Sequence, residues 1–252
     1  MLKKTYEFFL FYNKIILREG LGNYLWSLVM PLLIFFSINV NWFFEKPSLG
    51  EAIHFFSVIW SYNIISMYLY GFAGRISIFR ESGFLRSFTY VVGNKKPIIM
   101  SLFFIQLFHG FISIFSFTLV ATLMFDIPTA MFVSIAILTF TLVSIPVSML
   151  MLFLVFLPIN TSTLNSIGSI VMLPALFMSM FKQTFKNQIL NSAFFISPVE
   201  YVSQASKSIS DLLLYGHLSK NIPTLLIIST SYVVVGLLVW KYIKINAKIV
   251  RT

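Results

Sequence analysis

The chain has 252 residues, of which 58% are hydrophobic and only 10% are charged, and it contains no cysteine. Water-soluble domains carry about 25% charged residues, so this composition excludes a soluble globular domain, and the lack of cysteine excludes disulfide and thiol chemistry. Lys and Arg outnumber Asp and Glu by 18 to 8, but the cations fall in gaps between apolar runs, where we expect them to set topology and meet anionic lipid rather than nucleic acid.

The first predicted element covers residues 2–19, where four cations alternate with aromatic and aliphatic side chains. This interleaving favours an interfacial helix that lies in the headgroup plane with its cations toward phosphate. The alternative is an ordinary positive flank of the first membrane span.

Six long apolar runs follow, and each is long enough to cross a hydrocarbon core about 30 Å thick as a helix. They cover residues 24–44, 52–78, 97–125, 130–157, 164–181 and 222–242. The runs are continuous and lack an alternation of period two, which argues against a transmembrane β-barrel. The predicted fold is therefore an all-α polytopic membrane protein with a single transmembrane domain over residues 1–252.

The connections between the runs differ in length. Residues 126–129 predict a tight antiparallel hairpin of the third and fourth helices, whereas residues 182–220 form the longest connection. Within it, residues 189–202 are apolar but too short to cross, so we expect a re-entrant or surface-lying hairpin between helices 5 and 6.

The orientation follows from the cations, because 13 of the 18 Lys and Arg residues fall on one side of this topology. They belong to the N-terminal segment, to the end of the second run together with the 79–96 connection, and to the end of the last run together with the C-terminal tail. The positive-inside rule places these segments, and so both termini, in the cytoplasm. The 182–220 hairpin is then extracellular, and the location expected for such a chain is a bacterial inner membrane.

The sequence lacks the residues that most membrane enzymes need. It has no Gly-rich phosphate-binding loop, its three histidines are far apart, and none of the six predicted spans carries Asp or Glu in its central turns. We therefore expect no enzyme activity, metal or cofactor in this chain. His109 has two interpretations: a substrate or proton site, or, as we favour, a neutral imidazole bonded between helices.

The connection at residues 79–96 has a distinctive pattern. Charged residues flank an apolar set at Phe84, Leu85 and Phe88, whose spacing predicts a short amphipathic helix. Glu81 precedes this helix, where a carboxylate suits the helix dipole, and Gly83 leaves the backbone open to a partner. A plain positive loop would explain the cations but not this spacing.

This connection resembles the Arg-Glu-x-Gly-x-Leu stretch of the ABC-2 permeases, the membrane subunits of ATP-binding-cassette exporters. The matching residues are Arg80, Glu81, Gly83 and Leu85, and Ser197-Pro198-x-x-Tyr201 resembles a Pro-x-x-Tyr often seen in the family's extracellular hairpin. The resemblance implies that Arg80, Glu81, Gly83, Phe84, Leu85 and Arg86 form a coupling helix that docks on a separate ATPase. ATP and Mg would then bind that partner, and a second permease copy, identical or paralogous, would complete the transporter.

The sequence departs from the family pattern at three positions. Phe79 stands where an acidic residue often precedes the Arg-Glu pair, Arg86 where an acidic residue is common, and Val92 where a proline is frequent. These differences bear on how the chain would dock on an ATPase.

A second set of polar residues opens the fifth span. Small and hydroxyl-bearing side chains let membrane helices approach closely, and the family resemblance implies that this helix lines the pathway. The gate candidates are Thr161, Thr163, Asn165, Ser166 and Ser169, with His109 as a further pathway candidate.

The spans are rich in aromatic residues, with 29 Phe in the chain, which favours a hydrophobic or amphipathic substrate. The size and apolar character resemble exporters of antimicrobial peptides or phenol-soluble-modulin-type toxins, and a lipid-like substrate fits the same chemistry. Two alternatives remain: a nucleotide-independent secondary carrier or channel, and a passive membrane immunity protein.

Overall fold

The structure is a computed structural model that describes residues 2–19, 21–157, 159–181 and 197–243. Within these ranges the chain is helical and contains no strand. The helices in chain order are α1 (Leu2–Glu19), α2 (Leu21–Ile38), α3 (Leu49–Ser66), α4 (Arg75–Glu81), α5 (Phe84–Val92), α6 (Lys96–Met124), α7 (Thr129–Phe156), α8 (Thr161–Phe181), α9 (Pro198–Tyr215) and α10 (Ile222–Trp240). A 3₁₀ turn (Val40–Phe43) follows α2, and a π-helical segment (Met67–Gly74) joins α3 to α4.

Five helices in the described ranges are long and apolar enough to cross a membrane, as a polytopic membrane protein requires. The first of them, Leu49–Glu81, is a continuous rod of 33 residues that includes α3, the π-helical segment and α4. The others are α6, α7, α8 and α10. A sixth crossing by α2 stays a prediction, because the apolar part described there, Leu28–Ile38, is shorter than a span.

The chain turns earlier after α2 than the sequence suggested. The run at residues 24–44 predicted one helix, but α2 ends at Ile38, where the Asn39 side-chain amide donates to the carbonyl of Phe35 at 2.9 Å. The 3₁₀ turn then places Trp42 and Phe43 against Phe125, with ring centroids 5.5 and 4.8 Å apart. These aromatic contacts fix the end of α2 beside the turn between α6 and α7.

The predicted tight hairpin of α6 and α7 is present. Asp126 adopts a positive φ of 51° in the turn, and α7 begins at Thr129. The core between these helices and α3 contains fully buried aromatic residues, including Phe56, Trp60 and Phe132. The Trp60 indole N–H donates to Thr118 Oγ1 at 2.8 Å, so even its polar atom has a partner inside the bundle.

The bundle has two distinguishable ends. At the connector end, the contacts of α1 with Phe79 and Phe88 bring the N-terminal helix to the 79–96 connection, and Lys95 Nζ donates to the carbonyl of Ile243 after α10 at 2.7 Å. At the opposite end, Lys46 forms an ion pair with Asp126. The N-terminal helix, the connection and the end of α10 therefore share one end of the bundle.

Candidate functional site

The predicted coupling segment contains a short helix between two glycines. Helix α5 begins after Gly83 and ends before Gly93, with backbone φ values of 78° and 80°. Left-handed backbone conformations are costly for residues that carry a Cβ atom, so both ends of α5 depend on glycine. The helical spacing of Phe84, Leu85 and Phe88 is confirmed, and it makes α5 amphipathic.

Arg80 and Glu81 lie before α5 and do not belong to the same helix as Phe84, Leu85 and Arg86, because the rod that starts at Leu49 continues to Glu81. The Arg80 guanidinium donates to the carbonyl of Val155 at 2.6 Å and to that of Ile159 at 2.8 Å. Glu81 Oε1 accepts a hydrogen bond of 2.6 Å from the backbone N–H of Thr161. These two neighbouring side chains therefore hold the end of α7 and the start of α8.

The polarity of these contacts matches the charge at each helix end. The last carbonyls of a helix carry partial negative charge and its first N–H groups carry partial positive charge. Arg80 meets the carbonyl end of α7, and Glu81 meets the first N–H of α8. Hydrogen bonds that include an ionised group are about twice as strong as neutral ones, so this arrangement ties α4 to the turn between α7 and α8.

The remaining predicted coupling residues divide by exposure. Leu85 is buried, whereas the side chains of Phe84 and Arg86 are exposed. Further along α5, Tyr90 and Val91 are 75% and 83% exposed. Arg80 and Glu81 thus make contacts within the chain, and Phe84, Arg86, Tyr90 and Val91 form the outward surface of α5.

The gate candidates lie on the first turns of α8, mostly facing away from the bundle. Thr163, Asn165, Ser166 and Ser169 are exposed, and Thr161 is half-buried. The stripe of α8 that packs inward is formed by Leu164, Gly168, Met172 and Leu176. The polar residues of this helix therefore form a second face that the single chain leaves uncovered.

One exposed residue of this face also contacts the long rod. The hydroxyl groups of Ser169 and Tyr70 lie 3.3 Å apart, and Gly168 lies against Leu69 and Tyr70, where a Cβ atom would clash. Leu69 and Tyr70 belong to the π-helical segment. Such segments often mark functional sites in helices, and here the segment supplies the contact with α8 at the level of the gate candidates.

His109 lies apart from these residues, at the contact between α6 and α1. Its Nε2 is 2.9 Å from Asn13 Oδ1, and the side chain is buried. This partner agrees with the interpretation of a histidine bonded between helices. The structure does not bring His109 to the gate candidates on α8.

Pro198 and Tyr201 open helix α9, which lies within the predicted 182–220 hairpin; residues 182–196 of that prediction lie outside the described residues. Pro198 occupies the first turn, where its missing N–H is tolerated. The Tyr201 ring packs edge-on against Tyr232 of α10 at 5.3 Å, and burial raises the pKa of its phenol. Helix α9 packs most extensively against α3 and also contacts α7 and α10, so this part of the hairpin lies against the bundle.

The structure also assembles a cluster that sequence reasoning missed, the histidine–lysine cluster of His54, Lys207 and Glu200. Lys207 Nζ lies 2.8 Å from His54 Nδ1, and His54 Nε2 lies 3.1 Å from the carbonyl of Met180. An ammonium can only donate, so His54 accepts at Nδ1 and carries its proton on Nε2. The three elements α3, α8 and α9 therefore meet at one imidazole.

Glu200, about two turns before Lys207 on α9, adds a carboxylate to this cluster. Its carboxylate accepts from Ser179 Oγ at 3.0 Å and from Gln204 Nε2 at 2.7 Å, and the residue is only 3% exposed. The sequence signal was the spacing of Glu200, Gln204 and Lys207, which places them on one helical face. Their pairing with His54, which lies 153 positions away from Lys207, is visible only in the folded chain.

In the described part of the chain, no three His, Asp or Glu side chains are grouped so that they could hold a metal ion. No protein-family model, curated protein or solved structure matches this chain. The five long apolar helices define the class as a multi-pass helical membrane protein.

Proposed function

We propose that this chain is the membrane subunit of an ATP-binding-cassette exporter of the ABC-2 kind. It would move a hydrophobic or amphipathic substrate, such as a peptide toxin, an antimicrobial peptide or a lipid-like molecule, out of a bacterial cell. A separate ATPase subunit would hydrolyse ATP, and both termini of this chain would lie in the cytoplasm, as the positive-inside rule predicts.

The observation that supports this proposal most directly is the position of α5. The helix presents Phe84, Arg86, Tyr90 and Val91 outward, and on its other side Leu85 is buried in the bundle. Exposed aromatic and Arg side chains are typical anchors of protein interfaces. A partner that grips this surface would act on the short chain segment that leads back to Arg80 and Glu81.

The contacts of Arg80 and Glu81 provide a route from α5 to α8. A push on α5 would reach the turn between α7 and α8 through the hydrogen bonds to Val155, Ile159 and Thr161. ATP binding can drive this change only if the nucleotide-bound partner favours one of two membrane arrangements. The proposed change is a tilt of α8 relative to the π-helical segment, which alters the gate.

The exposed polar face of α8 supports a second permease copy. Hydroxyl and amide side chains are unfavourable against lipid, and across helix interfaces they bond and permit close approach. Thr163, Asn165, Ser166 and Ser169 would therefore face a second copy, identical or paralogous, or the pathway between the two copies.

The decisive experiment is purification of the intact complex in a mild detergent, with identification of the chains that co-purify. We expect a P-loop ATPase to co-purify with the wild type and to be lost from Tyr90→Glu. Tyr215→Glu is the matched control, because Tyr215 is 62% exposed in the last turn of α9, toward the opposite end of the bundle. Absence of any ATPase from the wild type, or equal loss with both variants, would contradict the proposal.

A nucleotide-independent carrier is the second candidate, and the histidine–lysine cluster favours it. Ionisable side chains inside membrane proteins often mark ion or proton pathways, and Glu200 and His54 are both buried. A carrier would accumulate a solute in liposomes from a proton gradient with no nucleotide present, and His54→Gln would abolish this uptake. An exporter that depends on ATP would show no such uptake without nucleotide, either in the wild type or in His54→Gln.

A further inference from the structure

A large apolar cavity lies beneath α1, outside the coupling segment and the α8 face. Its volume is about 690 Å³, within the range of small-molecule sites. The walls include Leu2, Thr5 and Tyr6 of α1, Phe108 of α6, and Phe140 and Thr141 of α7. Nearly all of the lining is apolar, so water is a poor occupant.

The depth of the cavity can be read from helix geometry. The stretch from Phe104 to Met124 of α6 measures about 30 Å at a rise of about 1.5 Å per residue, which matches the thickness of a hydrocarbon core. Phe104 and Phe111 both line the cavity. With Met124 at the hydrocarbon boundary opposite the connector end, Phe104 lies at the boundary on the connector side. The cavity then extends from that boundary into the adjoining leaflet, where lipid acyl chains surround the protein.

The charge around the mouth selects among lipids. Lys3 follows directly after Leu2, which lines the cavity, and its side chain is exposed. The ammonium of the neighbouring Lys4 donates a hydrogen bond to the carbonyl of Val92 at 3.1 Å. Of these two lysines, Lys3 is therefore the one that does not bond to the 79–96 connection. A cation at headgroup level attracts anionic lipid, and the cytoplasmic leaflet is the anionic one.

We infer that this cavity is a binding site for one acyl chain of an anionic phospholipid, with the phosphate near Lys3. The bound chain fills the space between α1, α6 and α7, and the headgroup holds the start of α1 at the membrane surface. The inference does not depend on the proposed transport function, because it concerns only the seating of α1 on the bundle.

Native mass spectrometry of the purified full chain tests this site. The protein is exchanged into detergent with equal amounts of phosphatidylglycerol and phosphatidylcholine that carry the same acyl chains. One cation near the surface contributes about 1 kcal/mol, so we expect about fivefold more retained phosphatidylglycerol than phosphatidylcholine in the wild type. Lys3→Gln should retain the lipid but lose this preference, whereas Lys220→Gln, at the other end of the bundle, should keep it.

A second pair of variants tests the cavity itself. Thr141→Trp should displace the lipid of either headgroup, and Thr230→Trp should not. The two threonines are matched, because both are exposed and both donate to the carbonyl four residues earlier, at 2.8 and 2.9 Å. Should Thr141→Trp fail to fold by circular dichroism, Leu2→Glu serves instead, since it places a carboxylate at the mouth and should reduce phosphatidylglycerol retention.

Two results would overturn the inference. The first is equal retention of lipid by Thr141→Trp and Thr230→Trp, or by Leu2→Glu and the wild type. The second is a phosphatidylglycerol preference that is absent in the wild type or unchanged in Lys3→Gln.

Discussion

Glu81 Oε1 accepts a 2.6 Å hydrogen bond from the backbone N–H of Thr161, 80 positions later in the chain. This bond joins the residue expected to couple to an ATPase with the first of the residues expected to form the gate. The two predicted sites are therefore in direct contact, although each was identified from a separate local pattern.

The first prediction concerns this bond. Glu81→Ala should leave membrane insertion intact and should allow the partner to hydrolyse ATP while export falls, because α8 is no longer held to α4. Export and ATPase rates are measured together in proteoliposomes that contain the whole complex. Glu45→Ala is the control, since Glu45 is an exposed acid in the loop that follows α2. Normal export by Glu81→Ala would remove the coupling role.

The second prediction concerns the two hydrogen bonds of Arg80. Arg80→Lys should lower the free energy of unfolding by about 1.5 kcal/mol, because one ammonium cannot reproduce the fork that meets both Val155 and Ile159. Thermal denaturation followed by circular dichroism measures the change. Arg86→Lys should leave the midpoint unchanged, since Arg86 is exposed. Equal midpoints for the two variants would contradict the assignment.

The third prediction separates backbone conformation from packing at Gly83. Gly83→Ala should cost about 1–2 kcal/mol, because alanine resists the φ of 78°. Gly50→Ala is a matched control: a Cβ atom at either position meets no atom within 4 Å, and only Gly83 has a positive φ. Thermal midpoints of both variants give the comparison, and a stable Gly83→Ala would show that the turn before α5 tolerates other conformations.

The fourth prediction compares two buried tyrosines. The Tyr12 hydroxyl is buried without a hydrogen-bond partner among the described residues, and its ring stacks on Phe79 at 5.0 Å. Tyr12→Phe keeps the ring and removes the unbonded hydroxyl, so stability should rise by about 1 kcal/mol. Tyr201→Phe should bring no such gain, because the Tyr201 hydroxyl is not among the buried groups that lack a hydrogen-bond partner. A destabilised Tyr12→Phe would point to a partner for this hydroxyl.

The fifth prediction is a pH dependence at the opposite end of the bundle. The pKa of Asp126 lies below its ordinary value because Lys46 donates a hydrogen bond to it and lies close as a positive charge. A carboxyl with a lowered pKa in the folded state stabilises the fold above its ordinary pKa, and this contribution is lost as the pH falls through the lowered value. Both side chains are exposed, so the effect is small and sensitive to salt.

The measurement compares thermal midpoints of the wild type and Lys46→Gln. The wild type should be slightly more stable at pH 7 in low salt, and the difference should vanish at about pH 2 and in about 1 M salt. A difference that persists at acid pH would show that Lys46 stabilises the fold through something other than the charge of Asp126.

The sequence determined the class of this protein and most of its helices. Apolar runs at residues 97–125 and 130–157 correspond to α6 and α7, with ends shifted by one residue. Runs of this length and composition predict membrane helices, because in lipid a helix satisfies all of its own backbone hydrogen bonds. The spacing of Phe84, Leu85 and Phe88 likewise predicted α5. These properties are local, since they depend on residues only a few positions apart.

Only the tertiary structure decided which polar groups meet. Arg80 and Glu81 looked like residues of an exposed connection, yet they bond to backbone groups around the α7–α8 turn. His54 looked isolated, yet it lies beside Lys207 of α9. Such pairings join positions 75 to 153 residues apart. Helix packing sets these distances, and no periodicity along the chain encodes them.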